Sequence, residues 1–161
     1  YGKPMELATA SCHAIASACS GIKGLNTAIT AFNGNYRGDA CSVYPLLKPG
    51  QPVHARINLM PSGGTPLAPA LWWVMQQLMF TREQRKILFI LTDGQPTDMT
   101  ATRKALKMAH KIGLEVYGLG ILDDSIRKLL PVFSRSISDL MELPVVFFEM
   151  FGKSIIGTST H

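Results

Sequence analysis

Cysteine is scarce in this sequence. It occurs only as Cys12, Cys19 and Cys41, an odd number without a Cys-x-x-Cys pair. That excludes a disulfide framework and a zinc site of ordinary spacing. Three free thiols fit a reducing compartment, so a cytoplasmic location is expected. No apolar run approaches the ~18–20 residues that span a bilayer, and no secretory signal is visible, so no membrane association is expected. Charge is also sparse, at 17% of residues with a formal net of +5. The basic residues gather at Arg103, Lys104, Lys107 and Lys111 and at Arg82, Arg85 and Lys86. They form no dense stripe with interleaved aromatics, so nucleic acid is not an expected partner. The phosphate-binding run Gly-x-x-x-x-Gly-Lys-Ser/Thr is absent. His13, His54, His110 and His161 are scattered, without a Ser-His-Asp arrangement or metal-ligand spacing.

What is present is a chain of 161 residues with 47% hydrophobic content, enough for one globular domain over residues 1–161 with its own core. Met5 to Ile22 reads as a helix, with Ala8, Cys12, Ile15, Ala16 and Cys19 at helical spacing and Gly21 and Gly24 at its end. Leu25 to Phe32 reads as a strand closed by an Asn33-Gly34 turn, and Cys41 to Leu47 as an antiparallel edge strand. A loop from Pro61 to Pro66 precedes a helix striped by Leu67, Leu71, Val74, Met75 and Leu78, with Pro66 and Pro69 in or near its first turn. Trp72, Trp73, Met75 and Met79 read mostly as core. Lys86 to Asp93 holds the run Ile87-Leu88-Phe89-Ile90-Leu91, continuously apolar as in a strand covered on both faces. Thr100 to Lys111 reads as an amphipathic helix with Ala101, Ala105, Met108, Ala109 and Ile112 inward, capped by Gly113. A strand from Leu114 to Ile121, a short helix from Ser125 to Leu130, a short strand within Val132 to Ser138 and a closing helix from Leu140 to Ile155 complete the pattern. Within that last segment Val145-Val146-Phe147-Phe148 is also compatible with a strand. Alternating strands and helices imply an α/β fold, a mostly parallel sheet between helical layers. Ligands of such folds collect beyond the carboxyl ends of strands.

Three features stand where such a site would form. In Ser62-Gly63-Gly64-Thr65-Pro66, glycines allow close backbone approach and the threonine hydroxyl is a hard oxygen donor. The plainer reading is a loop whose Thr65 caps the next helix. In Leu91-Thr92-Asp93-Gly94 a carboxylate leaves a buried strand. In Gly118-Leu119-Gly120-Ile121 the small residues read best as tight packing. Asp98 and the pair Asp123-Asp124 are possible accessory ligands, but carboxylates also favour helix starts.

Taken together, the order of these segments resembles the von Willebrand factor type A (vWA) family, and the resemblance is sharpest from Ser62 to Ile121. It implies a three-layer, Rossmann-like sandwich that binds a protein partner through a metal-ion-dependent adhesion site. By that resemblance Thr65 and Asp93 are metal ligands, supported by Ser62, Gly63, Gly64 and Gly94, and the ion is Mg²⁺ or Mn²⁺. The metal's open position would take an acidic side chain of the partner. The run Arg82-Glu83-Gln84-Arg85-Lys86-Ile87-Leu88, followed by Thr92-Asp93-Gly94-Gln95-Pro96-Thr97-Asp98, resembles more closely the carboxyl-terminal vWA domain of the aerobic cobaltochelatase T subunit. That likeness implies an AAA+ ATPase partner and a role in cobalamin biosynthesis, with no activity of the chain alone. The Gly63-Gly64-Thr65-Pro66 loop is closer to the general vWA form.

The family's remaining ligand segment, Asp-x-Ser-x-Ser, occurs nowhere in the sequence, which opens at Tyr1. The expectation is therefore a domain truncated at its amino end, its first and central strand missing. Such a chain should bind metal weakly and take a replacement strand from elsewhere, by strand exchange or oligomerisation. Two other readings are a phosphoryl-transfer or hydrolytic α/β enzyme using Asp93, and an extracellular adhesion domain.

Overall fold

The computed structural model describes residues 2–34, 41–47 and 65–156. Helix α1 (Gly2–Cys19) turns Ile15, Ala16 and Cys19 inward. The chain then turns through Gly24, whose φ of +85° is the left-handed conformation glycine tolerates best. Strands β1 (Ile29–Gly34) and β2 (Cys41–Leu47) form an antiparallel pair. Asn33 and Gly34, expected to be a turn, are the last residues of β1, opposite Ser42 and Cys41. Cross-strand pairing here overrides the local turn preference. Pro45 sits opposite Thr30 in this two-stranded ribbon, where a missing N–H is tolerated.

Helix α2 (Leu67–Met79) buries Leu67, Leu71 and Met75. The aromatic and methionine side chains of this helix divide. Met75 is buried and Trp73 half-buried, while Trp72 and Met79 are exposed. Strand β3 (Ile87–Thr92) follows, then α3 (Met99–Lys111), β4 (Glu115–Ile121), α4 (Ser125–Leu129) and β5 (Ser134–Ile137). A 3-10 turn (Leu140–Glu142) leads into α5 (Leu143–Ile156), so Val145 to Phe148 are helical. Pro144 falls in the first turn of α5, where its absent N–H costs little.

The inward face of α3 is Thr102, Ala105, Leu106 and Ala109. Met108 and Ile112, expected inside, are exposed. Alanines at both Ala105 and Ala109 let α3 sit close, and the packing contact turns the helix by roughly one residue from the face its larger apolar side chains suggest. Gly113 has φ +83° and ends the helix in the left-handed conformation.

Strands β3, β4 and β5 are parallel, in that order across the sheet. Side chains alternate between its faces, as the two-residue period of a strand requires. Phe89, Leu91, Leu119 and Ile121 meet Ile15, Cys19, Leu143, Phe147 and Met150 of α1 and α5. Leu88, Ile90 and Val116 meet α2, α3 and α4 through Leu71, Ala105 and Ile126. Phe89 stacks on Tyr117 at 5.1 Å and lies 5.6 Å from Phe147, which locks the sheet to α5. Arg85 fastens the far end of α5. Its guanidinium donates to the Ser154 and Ile155 carbonyls and to Glu115, the last at 2.7 Å. The result is a helix–sheet–helix sandwich, the α/β architecture the alternating pattern implies.

Among the described residues the ribbon β1–β2 and the sheet β3–β4–β5 are separate. They share the same sandwich, because Phe32 of β1 packs on the α2 side and Leu25 on the α1 side. Glu115 donates its N–H to the Lys86 carbonyl at 3.1 Å. Parallel pairing then alternates, so the main-chain groups of Ile87, Phe89 and Leu91 point away from β4. That outer edge of β3 has no strand partner among the described residues.

Candidate functional site

The carboxyl end of β3 is closed by Thr92, whose side chain is buried. Its hydroxyl donates to the Gly94 carbonyl at 3.0 Å and accepts from the Gly94 N–H at 3.4 Å. This tight local turn leaves Asp93, between them, exposed at the rim of the sheet.

Thr65 is brought to the same place. Its carbonyl accepts from Leu67 N at 2.8 Å and from Thr97 N at 2.9 Å, stitching the start of α2 to the segment after Asp93. A β-carbon added to Gly94 would stand 3.3 Å from Thr65 Oγ1. A side chain at Gly94 would make this approach tight, and Thr65 would have to give by a few tenths of an ångström. The plainer reading of Thr65, as a helix cap, is not what the structure shows. The cap position of α2 is Pro66, and no side chain caps it. The Thr65 hydroxyl is therefore not used to cap α2. Behind the loop, Cys41 Sγ donates to the Pro66 carbonyl at 3.8 Å, tying β2 to it.

Ser62, Gly63 and Gly64 lie outside the described residues. The three accessory carboxylates all have local structural work. Asp98 caps α3, accepting from Ala101 N at 2.9 Å. Asp123 Oδ1 accepts from Ser125 N at 2.9 Å at the start of α4. Asp124 Oδ1 accepts from Ser136 Oγ at 2.6 Å and lies 3.6 Å from Arg127. Among the described residues no group of three or more His, Cys, Asp or Glu side chains is placed to hold a metal ion.

The donor chemistry of Thr65 and Asp93, a hydroxyl and a carboxylate, fits a hard divalent cation in kind. It falls short in number, since such ions take about six oxygens. Water, a partner side chain or another segment would have to complete the shell. The glycines within β4, the neighbour of β3, are structural. A β-carbon on Gly118 would stand 2.5 Å from Ile126 Cγ1, and one on Gly120 would overlap the Asp123 carbonyl.

Two contributors escaped sequence reasoning. The Thr92 hydroxyl had a readable signal, a threonine at a strand end that can bond its own backbone two residues on. The Thr97 N–H had none, because its partner is the distant carbonyl of Thr65.

The three cysteines are free. Burial pushes the Cys12 thiol from 9.0 up to about 11 and raises Cys19 and Cys41 as well, so none has the depressed value of a reactive nucleophile. No helix among the described residues is long and apolar enough to cross a membrane.

No curated protein matches the chain. The family model of the von Willebrand factor type A domain matches residues 21–147. That span takes in the antiparallel ribbon, the Thr65 loop, all three parallel strands and the first turns of α5. With its helix–sheet–helix layers and its Thr65–Gly94 rim, the chain belongs to the von Willebrand factor type A domain family.

Proposed function

We propose that this chain is a metal-dependent protein-interaction module, in which Thr65 and Asp93 supply two ligands of a Mg²⁺ or Mn²⁺ ion. Domains of this family commonly mediate protein–protein interactions and often bind a divalent metal. The observation that carries the reading is the placement of Thr65 Oγ1 on the side of Gly94 where a side chain would stand, next to an exposed Asp93. The bound ion supplies a Lewis-acidic point of attachment for a carboxylate. Thr65 and Asp93 orient it, and the Thr65 carbonyl bonds hold the two segments in register. The partner is a protein presenting an acidic side chain. In the more specific form of the proposal it is an AAA+ ATPase subunit of a cobaltochelatase-like complex, supported by the likeness of residues 82–98 to that subunit.

The separated sheets support a second part of the same reading. A strand laid between β1 and β3 would pair the outward main-chain groups of Ile87, Phe89 and Leu91. If it ended in Asp-x-Ser-x-Ser, it would bring the remaining ligands to the rim. The test is a Mn²⁺ titration followed by the paramagnetic resonance of the free ion. It is run on the chain alone and with a synthetic peptide of apolar β-formers ending in Asp-x-Ser-x-Ser. Weak binding alone, tightened at least about tenfold by the peptide, is the expected result, and Thr65→Ala or Asp93→Ala should abolish the gain. Tight binding without the peptide, or a gain that survives both substitutions, would overturn the proposal.

A further inference from the structure

Helix α5 is apolar on two opposite sides. Its inner side, Leu143, Val146, Phe147 and Met150, is buried in the sandwich. Its outer side carries Val145, Phe148 and Ile156, which are 61%, 43% and 71% exposed. At ~100° per residue these three and Gly152 fall within a sector of about 80°, directly opposite the buried side. An exposed apolar stripe opposite a buried one marks an interaction surface. Glu149 and Lys153, one turn apart and both exposed, run along one flank of the stripe.

We infer that this stripe is a self-complementary interface, on which α5 of a second copy of the chain packs antiparallel about a two-fold axis level with Met150 and Phe151. The flanking charges choose the occupant and the direction. In an antiparallel two-fold pair each flank meets its own equivalent, so Glu149 faces Lys153 of the second copy, twice. A parallel pair would set this flank against the opposite, uncharged flank of the second helix and leave Glu149 and Lys153 without that match. Shape agrees with charge. A β-carbon on Gly152 would meet nothing within 4 Å, so the helix has an open notch there. The same axis lays Phe148 of each copy over Gly152 of the other and Val145 against Ile156. Arg135 already pairs with Glu149 at 3.0 Å, but this pair is half-exposed and surface pairs of this kind are weak. It leaves the carboxylate available to a second cation. The stripe is a single helix face of about three turns, smaller than the ~800 Å² per partner of a standard stable interface, so a weak, concentration-dependent dimer is expected.

The test is sedimentation velocity of the full chain from about 5 to 500 µM, with helicity followed by circular dichroism. The unaltered chain should dimerise reversibly. E149K or K153E alone should weaken the dimer about tenfold or more, because each sets like charges together at two places. The double variant E149K/K153E should restore it, and Phe148→Ser should abolish it without loss of helix. A chain monomeric throughout, a dimer indifferent to the single reversals, or a double variant that fails to recover would each overturn the inference. Such a result would leave the metal-site proposal standing, since that is read by a different titration.

Discussion

Replacing Gly120 with alanine should cost far more stability than the same change at Gly118, although both glycines lie in β4 under the same side chain. At Gly118 the new methyl group would meet Ile126 Cγ1 at 2.5 Å, and Ile126 Cδ1 and Leu130 Cδ1 at 3.2 Å. All of these belong to side chains that can rotate or shift a little. Ile126 is fully buried, so the shift is resisted, and overpacking of this kind costs about 1–3 kcal/mol. At Gly120 the nearest atom is the backbone carbonyl of Asp123, far inside the ~3.5 Å optimum for non-bonded contact. The turn from Leu122 to Asp124 must move. That turn holds Leu122 at φ +58°, with its N–H donated to the Ile137 carbonyl at 2.9 Å, and its Asp123 carboxylate accepts from Ser125 N. Losing those two bonds adds about 0.5–1.5 kcal/mol each to the overpacking, for a total of about 2–6 kcal/mol. Within a typical stability of ~5–15 kcal/mol, G118A should remain folded and G120A should be marginal. Urea denaturation followed by tryptophan fluorescence and circular dichroism measures both. Equal midpoints for the two variants, or G118A the weaker, would refute the assignment of the Gly120 constraint to the backbone.

Two further outcomes follow from the same geometry. Asp98→Ala removes the cap of α3 and should lower stability by about 1 kcal/mol, while Asp98→Asn, which can still accept from Ala101 N, should recover most of it in the same urea assay. Cys12, whose thiol is raised to about 11 by burial, should resist a thiol reagent at pH 8 in folded protein and react once urea unfolds it. Because the folded state holds this proton more tightly, its contribution is complete below pH 9 and declines as pH rises toward 11. A Cys12→Ala variant should lose that alkaline slope, and a slope unchanged by the substitution would exclude Cys12 as its source.

Much of the molecule is local and was legible as such. The unbroken run Ile87 to Leu91 announces a strand covered on both faces, and the apolar spacing from Leu67 to Leu78 announces a helix. Asp98 ahead of α3 and Gly113 behind it act through their nearest neighbours, so their roles follow from residue type and position. Thr65 and Asp93 were singled out by the company they keep, a glycine-rich loop and a strand end. What tertiary structure alone decided is which distant groups meet. The strand pairing that straightens Asn33-Gly34, the closeness of α3 at Ala105 and Ala109 and the carbonyl of Thr65 reaching Thr97 N all depend on packing between segments far apart in the chain. Periodicity records which side of an element is apolar, but not which partner will cover it or how closely that partner will approach. For the same reason only the folded chain shows α5 exposing a second apolar side and, among the described residues, the ribbon unpaired with the parallel sheet.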